Sequence, residues 1–431
     1  MSNATPAAPD VVRRRAIIAG VIGNVLEWYG FAVYGFFVPT ISALFFPVSG
    51  ALDRDLLTYA AFGIGFLMRP LGSIVFGVYG DRVGRRNALA AVIFLMAVAT
   101  FLIGLLPTYE TAGVLAPILL IAIRLLQGLS AGGEWGGSTP YIVEFAPKGR
   151  RGYLGSWQQV SVAGGLLLGS AIAKLLYSDL IITPAELLAW GWRIPFLLGI
   201  LVGGVGVYLR WRIDDTPKFL EVEAKGELAT APLKEAFTTH RRATFNGFGI
   251  TLHNTVAYYV VLTYMVQFLA RIGKLPQADA LTISTLGLIV FVLLIPLTGA
   301  VSDRLGRKPM LMGSCIGYIL LIFPLMWLAA NAGFAAALAA QLVLVLMLAL
   351  YAGPGPATYA EIFPTKVRYT ALSLGYNSAV GIFGGFAPFI ATWLIDWTGY
   401  PLAPTFYVIA AATLTLLVLR PMKETAFMPL R

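Results

Sequence analysis

Five ionisable residues stand inside long apolar runs of this chain: Glu27, Arg69, Arg124, Glu134 and His253. A charge near the centre of a bilayer costs about 3 kcal/mol on insertion scales and more in simulations, so such residues are functional candidates by default. Glu27 shares one helix face with Asn24, Phe31 and Tyr34, which stand at i−3, i+4 and i+7. A carboxylate in that position either exchanges a proton or pairs with an arginine on a neighbouring helix. Arg69 is followed by Pro70. It keeps its charge, and its planar fork suits a carboxylate, so it either binds an anion or holds Glu27. Arg124, Gln127 and Glu134 share much of one face, with Glu134 suited to a gate, a salt bridge or proton transfer. His253 titrates in the range that proton coupling uses, or serves as a hydrogen-bonded structural group. Asn254 and Tyr258, four residues apart, are polar contacts for a small solute. Gln158, Gln159, Tyr376 and Asn377 form a second rank.

The elements that position these residues follow from composition. Of 431 residues, 58% are hydrophobic and 12% charged, where a soluble domain carries roughly a quarter charged. Lipid must solvate most of the surface, and no polar stretch is long enough to form a soluble domain. The lone Cys315 and the two histidines, His240 and His253, build neither a disulfide nor a metal site. No cofactor is expected. The polar start, Met1 to Asp10, leads through Arg13, Arg14 and Arg15 into an apolar segment, Ala16 to about Phe46, too long for a cleaved signal peptide.

A transmembrane helix needs about 20 mainly apolar residues. Such runs lie at 16–40, 57–79, 88–107, 114–136, 153–177 and 193–211, then at 244–270, 280–301, 310–330, 334–358, 370–395 and 402–420. Twelve spans result, the tenth interrupted by Gly353-Pro354-Gly355-Pro356. With both termini in the cytoplasm, 24 of the 31 Lys and Arg fall in cytoplasmic segments, as the positive-inside rule requires. The net charge of +10 therefore reports topology in an inner membrane, and no nucleic-acid partner is expected.

The chain repeats itself. Gly77-x-x-x-Asp81-Arg82-x-Gly84-Arg85-Arg86 recurs as Gly299-x-x-x-Asp303-Arg304-x-Gly306-Arg307-Lys308, and Glu144-x-x-Pro147 recurs as Glu361-x-x-Pro364. Both pairs fall in equivalent loops, after spans two and eight and after spans four and ten. The expected fold is an all-α membrane protein, twelve transmembrane helices in two six-helix bundles. Its divisions are a tail (1–15), a first bundle (16–211), a linker (212–243), a second bundle (244–420) and a tail (421–431). An Asp in such a loop can sit at a helix N-terminus, where the dipole favours it. Beside it, arginines can bridge neighbouring helices, making Asp81, Arg82, Arg85, Arg86, Asp303, Arg304, Arg307 and Lys308 candidates for gating. Small residues in span four (Gly128, Gly132, Gly133, Gly136, Gly137) permit close helix contact.

The repeated loop motif resembles the signature of the major facilitator superfamily, and Arg124-x-x-Gln127-Gly128 resembles its second motif. Gly23-Asn24-x-x-Glu27-Trp28-Tyr29, Phe66-x-x-Arg69-Pro70-x-Gly72, Gly132-Gly133-Glu134 and Trp190-x-x-Arg193-x-Pro195-Phe196 resemble the metabolite:proton symporter family within it. The resemblance covers nearly the whole chain. It implies a carrier, usually a monomer, that moves a small molecule with a proton by alternating access, and it places Arg124 on a cavity-lining helix. Two departures stand out. The family usually reads Trp-Phe-Asp-Phe where this chain has Trp28-Tyr29-Gly30-Phe31, removing an acid from the proton route. The osmosensing betaine carriers tend to have a long C-terminal coiled coil, whereas this chain stops at Arg431, so osmosensing is not expected.

The leading expectation is proton-coupled symport of a di- or tricarboxylate such as citrate or 2-oxoglutarate, since Arg69 and Arg124 set two fixed positive charges against Glu27. If protein carboxylates neutralise the arginines, a zwitterion such as proline or betaine becomes the better reading, with a shikimate-like or aromatic acid as a further alternative. An enzyme would need a nucleophile with its base or a set of metal ligands, and none is visible.

Overall fold

A computed structural model of the chain describes residues 24–25, 27–46, 51–83, 85–144, 146–147, 149–178, 180–211, 241–363 and 368–430. Among them the chain is helical wherever it is long and apolar, because in lipid each backbone N–H and C=O must find its partner within the segment. Seven helices are long and apolar enough to cross a membrane, and two bent pairs complete further spans. The shorter apolar helices Ala90–Leu105 and Ala403–Leu419 stand at the third and twelfth positions. The seventh, Arg241–Tyr259 continued by Val260–Tyr264 and Met265–Arg271, is less apolar because Thr251, His253, Asn254 and Thr255 interrupt it. All twelve expected spans are therefore helical among the described residues.

Bounds shift in instructive ways. Span one continues to Phe45, bent by 69° between Glu27–Phe36 and Val38–Phe45, with Pro39 in the first turn of the second piece. Span two begins at Ala51 and breaks between Leu67 and Arg69. The helix of span four runs Leu115–Glu144, and its apolar, membrane-crossing part, Leu115–Trp135, matches the expected 114–136. Span ten is two pieces, Gly333–Ala352 and Gly355–Ile362, parted at Gly353-Pro354 as expected. Spans seven and eleven each contain a π-helical turn, Val260–Tyr264 and Val380–Gly384. Of the 212–243 linker only residues 241–243 are described, and they are helical; His240 lies outside the described residues.

Spans two, three, four and six pack on one another, as do spans seven to ten and twelve, and the two groups meet where span five lies along span eight and span eleven crosses spans two and four. Glycine sets the closest crossings. A Cβ on Gly128 would overlap the Gly65 carbonyl, and one on Gly132 would overlap the Arg69 carbonyl. Outward-facing Leu201, Leu293, Leu297, Leu320, Trp327, Leu414 and Leu417 are exposed, as lipid contact requires.

The segment after span twelve folds back on the basic end of the molecule. Gly306, at φ 102°, turns the chain between spans eight and nine, and the N–H groups of Arg307 and Lys308 that follow donate to Glu424 at 2.8 and 3.0 Å. Burial alone would raise the Glu424 carboxyl, but N–H groups of Ala426, Arg307, Lys308 and Thr425 outweigh it and hold the group below its usual range.

Two expectations follow from this packing. Gly128→Ala forces a side chain into backbone and should destabilise by about 1–3 kcal/mol, whereas Gly313→Ala, with open space at its Cβ, should not. Thermal unfolding of the detergent-purified protein separates them. Because Glu424 has a depressed pKa in the fold, its stabilisation is present above the unfolded carboxyl pKa of about 4.3 and is lost as pH falls through the folded value. Glu424→Gln should therefore lower Tm at pH 7, and the gap from the parent should close on acidification.

Candidate functional site

Arg69 and Arg124 are both fully buried, yet their surroundings differ. Arg69 follows the break in span two. Its Nη2 donates to Glu27 Oε1 and to the Ala131 carbonyl, each at 3.4 Å, and its Nε donates to Asn377 Oδ1 at 3.2 Å. The rings of Trp28 and Phe66 flank it at 5.6 and 5.4 Å. This arginine is neutralised by the carboxylate expected to face it.

Arg124 has no carboxylate within ion-pair distance among the described residues. Its Nη1 donates to Gln127 Oε1 at 2.6 Å and its Nη2 to the Phe62 carbonyl at 3.1 Å, while Nε is buried without an acceptor. Three rings pack around the guanidinium: Tyr34 at 4.4 Å, with Phe31 and Phe62 at 4.9 Å. Gln127 and Tyr34 thus support Arg124. Gln127 is itself held by donating to Thr100 Oγ1 at 2.9 Å, and Tyr34 donates its hydroxyl to the Thr58 carbonyl at 3.1 Å.

Beside the two arginines, span one meets span seven through aromatic rings. Trp28 lies 6.1 Å from Tyr258, 6.2 Å from Tyr259 and 6.1 Å from Phe31, and Phe66 lies 5.4 Å from Tyr259. The polar tips of this group are buried without partners: Trp28 Nε1, the Tyr258 and Tyr259 hydroxyls and Asn254 Oδ1. On span five the whole side-chain amide of Gln158 is likewise unpartnered, close to Asn24, which donates to Ser161 Oγ at 2.8 Å and leaves its own Oδ1 unpaired. Orphaned buried polar atoms cost about 1–3 kcal/mol each, and these gather on spans one, five and seven where the bundles face each other. Trp28, Tyr259, Phe62 and Phe66 were not singled out from sequence as site residues, because an aromatic in an apolar run looks like core.

Other expected residues stand elsewhere. His253 does not join the site: its Nε2 lies 3.1 Å from Ser314 Oγ and its ring packs edge-on to Tyr318 and Tyr351, inside the second bundle. One residue along a helix is a turn of about 100°, so when Asn254 faces span one, His253 faces away. Tyr376 stacks on Trp135 at 3.5 Å across the two bundles, and Asn377 donates to Ser73 Oγ at 2.7 Å as well as accepting from Arg69. Both join the bundles to each other. Glu134 and Glu27 line one small cavity among spans one, three, four and six, with Met96, Thr100 and Gly199. Gly30, where the family has an acid, faces Thr100 and Gln127, and a Cβ there would lie 2.6 Å from Thr100 Oγ1. Gln159 is buried in span five.

Among the described residues, polar contacts join the bundles at both ends of the interface. At the basic end Asp303, at the end of span eight, accepts from the N–H groups of Gly152 and Tyr153 at 2.8 and 2.9 Å, which sets a carboxylate of one bundle on a helix N-terminus of the other. Arg307 joins Asp303 at 2.8 Å to Glu361 at 3.3 Å, and Arg151 reaches Glu361 at 3.7 Å. Lys308 turns to the carbonyls of Arg420 and Met422 at 2.7 and 2.9 Å, and Arg304 is exposed. The side chains of Asp81, Arg82, Arg85 and Arg86 lie outside the described residues. At the opposite end Arg271 pairs with Asp55, and Tyr59 packs against Tyr264 at 6.0 Å. None of these four was singled out from sequence as a site residue.

The model of the sugar (and other) transporter family matches residues 16–236 and again 221–431, once for each half. A proline/betaine transporter of Escherichia coli (strain K12) is 34% identical over 427 residues, covering 97% of this chain and 85% of that one. A glycine betaine/proline/ectoine/pipecolic acid transporter of Dickeya dadantii (strain 3937) is similar to the same extent, 34% over 97% of this chain and 85% of its own length. Among solved structures, the major facilitator superfamily proton:xylose symporter XylE bound to 6-bromo-6-deoxy-D-glucose superposes with a TM-score of 0.80 over 98% of each chain at 19% identity, a likeness of fold. A match to each half, on two bundles of helices that meet around a polar, aromatic centre, makes this chain a member of the sugar (and other) transporter family of the major facilitator superfamily.

Proposed function

We propose that this protein carries a zwitterionic osmolyte of the proline or glycine betaine type, driven by protons, through an inner membrane with its basic end in the cytoplasm. The observation that carries the reading is Arg124, a buried guanidinium with no carboxylate beside it among the described residues. A substrate carboxylate supplies that partner. The substrate's ammonium group then falls to the rings of Trp28, Tyr258 and Tyr259, which attract a cation through their faces. Asn254, Gln158 and the tyrosine hydroxyls offer the remaining polar contacts. The names of the curated relatives support the same substrate class.

A di- or tricarboxylate, expected when both arginines were counted as available, needs a second unpaired positive charge. Arg69 does not provide one, because Glu27 neutralises it. The Glu27–Arg69 pair serves better as the proton site: protonating Glu27 frees Arg69, and Glu134 beside the same cavity offers a second carboxylate for the route. With no acid at Gly30, Glu27 and Glu134 are the two carboxylates beside this cavity among the described residues.

Transport follows by alternating access. The closures at Asp303 with Gly152 and Tyr153, and at Arg271 with Asp55, open one at a time while the centre stays polar and aromatic. Uptake of labelled proline, glycine betaine, citrate and 2-oxoglutarate into proteoliposomes, with and without an inward proton gradient, tests the reading. Gradient-driven uptake of the zwitterions alone is expected, and uptake of citrate alone would overturn it. Arg124→Gln should abolish uptake with insertion unchanged. Trp28→Leu should weaken glycine betaine by about tenfold, the cation–π share of about 1–2 kcal/mol, and proline less.

A further inference from the structure

We propose that Asn377 couples the two bundles, acting as a positioning residue that ties closure of the basic end to the state of Arg69. The inference rests on the proton-coupled reading of Glu27 and goes beyond it. Asn377 is fully buried in span eleven and uses both ends of its amide on the other bundle. Its Oδ1 accepts from Arg69 Nε at 3.2 Å, and its Nδ2 donates to Ser73 Oγ at 2.7 Å. Ser73 in turn donates to the Gly132 carbonyl at 2.7 Å, so a chain of bonds runs from span eleven through span two to span four. One turn further on, a Cβ at Gly381 would come within 2.9 Å of the Phe66 carbonyl, which is how span eleven comes close enough for the amide to reach.

Arg69 has three acceptors: Glu27, the Ala131 carbonyl and Asn377. The first two belong to its own bundle, and Asn377 alone belongs to the other. With Glu27 ionised, its carboxylate draws the guanidinium toward span one. With Glu27 neutral, that pull is gone and the cross-bundle bond to Asn377 gains weight. Glu134, Tyr259 and Tyr376 also face this group, and Glu134 is the other carboxylate among them. Separation of spans two and eleven at the basic end breaks the Asn377 bonds, so the ease of opening depends on where Arg69 leans. Without the amide, the basic end opens whichever form Glu27 takes.

The test compares the parent, Asn377→Leu and Asn377→Gln as full chains in proteoliposomes. For Asn377→Leu, exchange of labelled proline at equal concentrations on both sides should persist. Gradient-driven accumulation should fall about tenfold, a size usual for coupling between sites, and proton leak should rise. Asn377→Gln, which keeps an amide, should restore part of the accumulation. Exchange and accumulation falling together, or neither changing, would overturn the proposal. A second readout is independent of proton coupling: labelling of Ser156→Cys, buried beneath the closure against Gly299, by a membrane-impermeant maleimide from the basic end. Asn377→Leu should raise its rate, and an unchanged rate would sink the cross-bundle clamp. If the parent shows no gradient-driven uptake while labelling responds, the proton reading has failed and the clamp has survived.

Discussion

A guanidinium buried at membrane depth must be compensated by something, and the two arginines of this protein meet that demand in opposite ways. Arg69 is met by the protein: Glu27 supplies the charge, Ala131 and Asn377 the remaining acceptors. Among the described residues Arg124 is met by neutral groups, the Gln127 amide, the Phe62 carbonyl and three aromatic faces. Desolvating a charge with neutral partners leaves part of its cost in place. The centre is therefore poised toward an anionic group, and one anionic group only. That asymmetry separates a zwitterion from a polycarboxylate more sharply than the number of arginines does.

The packing of the bundles follows from keeping that centre dry. Glycines at Gly65, Gly128 and Gly132 draw span four against span two, so that Arg124 meets the Phe62 carbonyl and Arg69 the Ala131 carbonyl across the same crossing. Trp28 then meets Tyr258 and Tyr259, and Tyr376 stacks on Trp135. The polar closures at the ends use different chemistry. At the basic end a carboxylate rests on backbone N–H groups at a helix start, with arginines around it. At the other end an Arg271–Asp55 pair and two tyrosines suffice. Weak, separable contacts of these kinds suit surfaces that must part and rejoin.

Much of this fold was legible in the sequence because lipid permits so few structures. Twelve apolar runs, a repeated Gly-x-x-x-Asp-Arg loop and the placement of basic residues were enough for two six-helix bundles. At the centre, Arg124, Arg69 and Glu27 were legible as charges in apolar runs. Which arginine the glutamate neutralises was not, since that depends on how spans one, two and four are rotated against each other. His253 and Asn254 were equally good candidates by type, yet one faces the second bundle's interior and the other the interface. The aromatic lining was hidden in plain composition: nothing in a single sequence distinguishes Trp28 or Tyr259 from the other rings of the core.

The central claim is that one site recognises one carboxylate and one ammonium together. Binding isotherms on the purified protein with glycine betaine, with choline, which keeps the quaternary ammonium and lacks the carboxylate, and with citrate test it most directly. The account predicts saturable binding of glycine betaine, and binding of choline and citrate weaker by at least about tenfold, since each forfeits one of two interactions worth about 1–3 kcal/mol. Binding of citrate as tight as that of glycine betaine, at a pH where Glu27 still pairs with Arg69, would contradict it, because Arg124 is then the one unpaired arginine of this centre among the described residues.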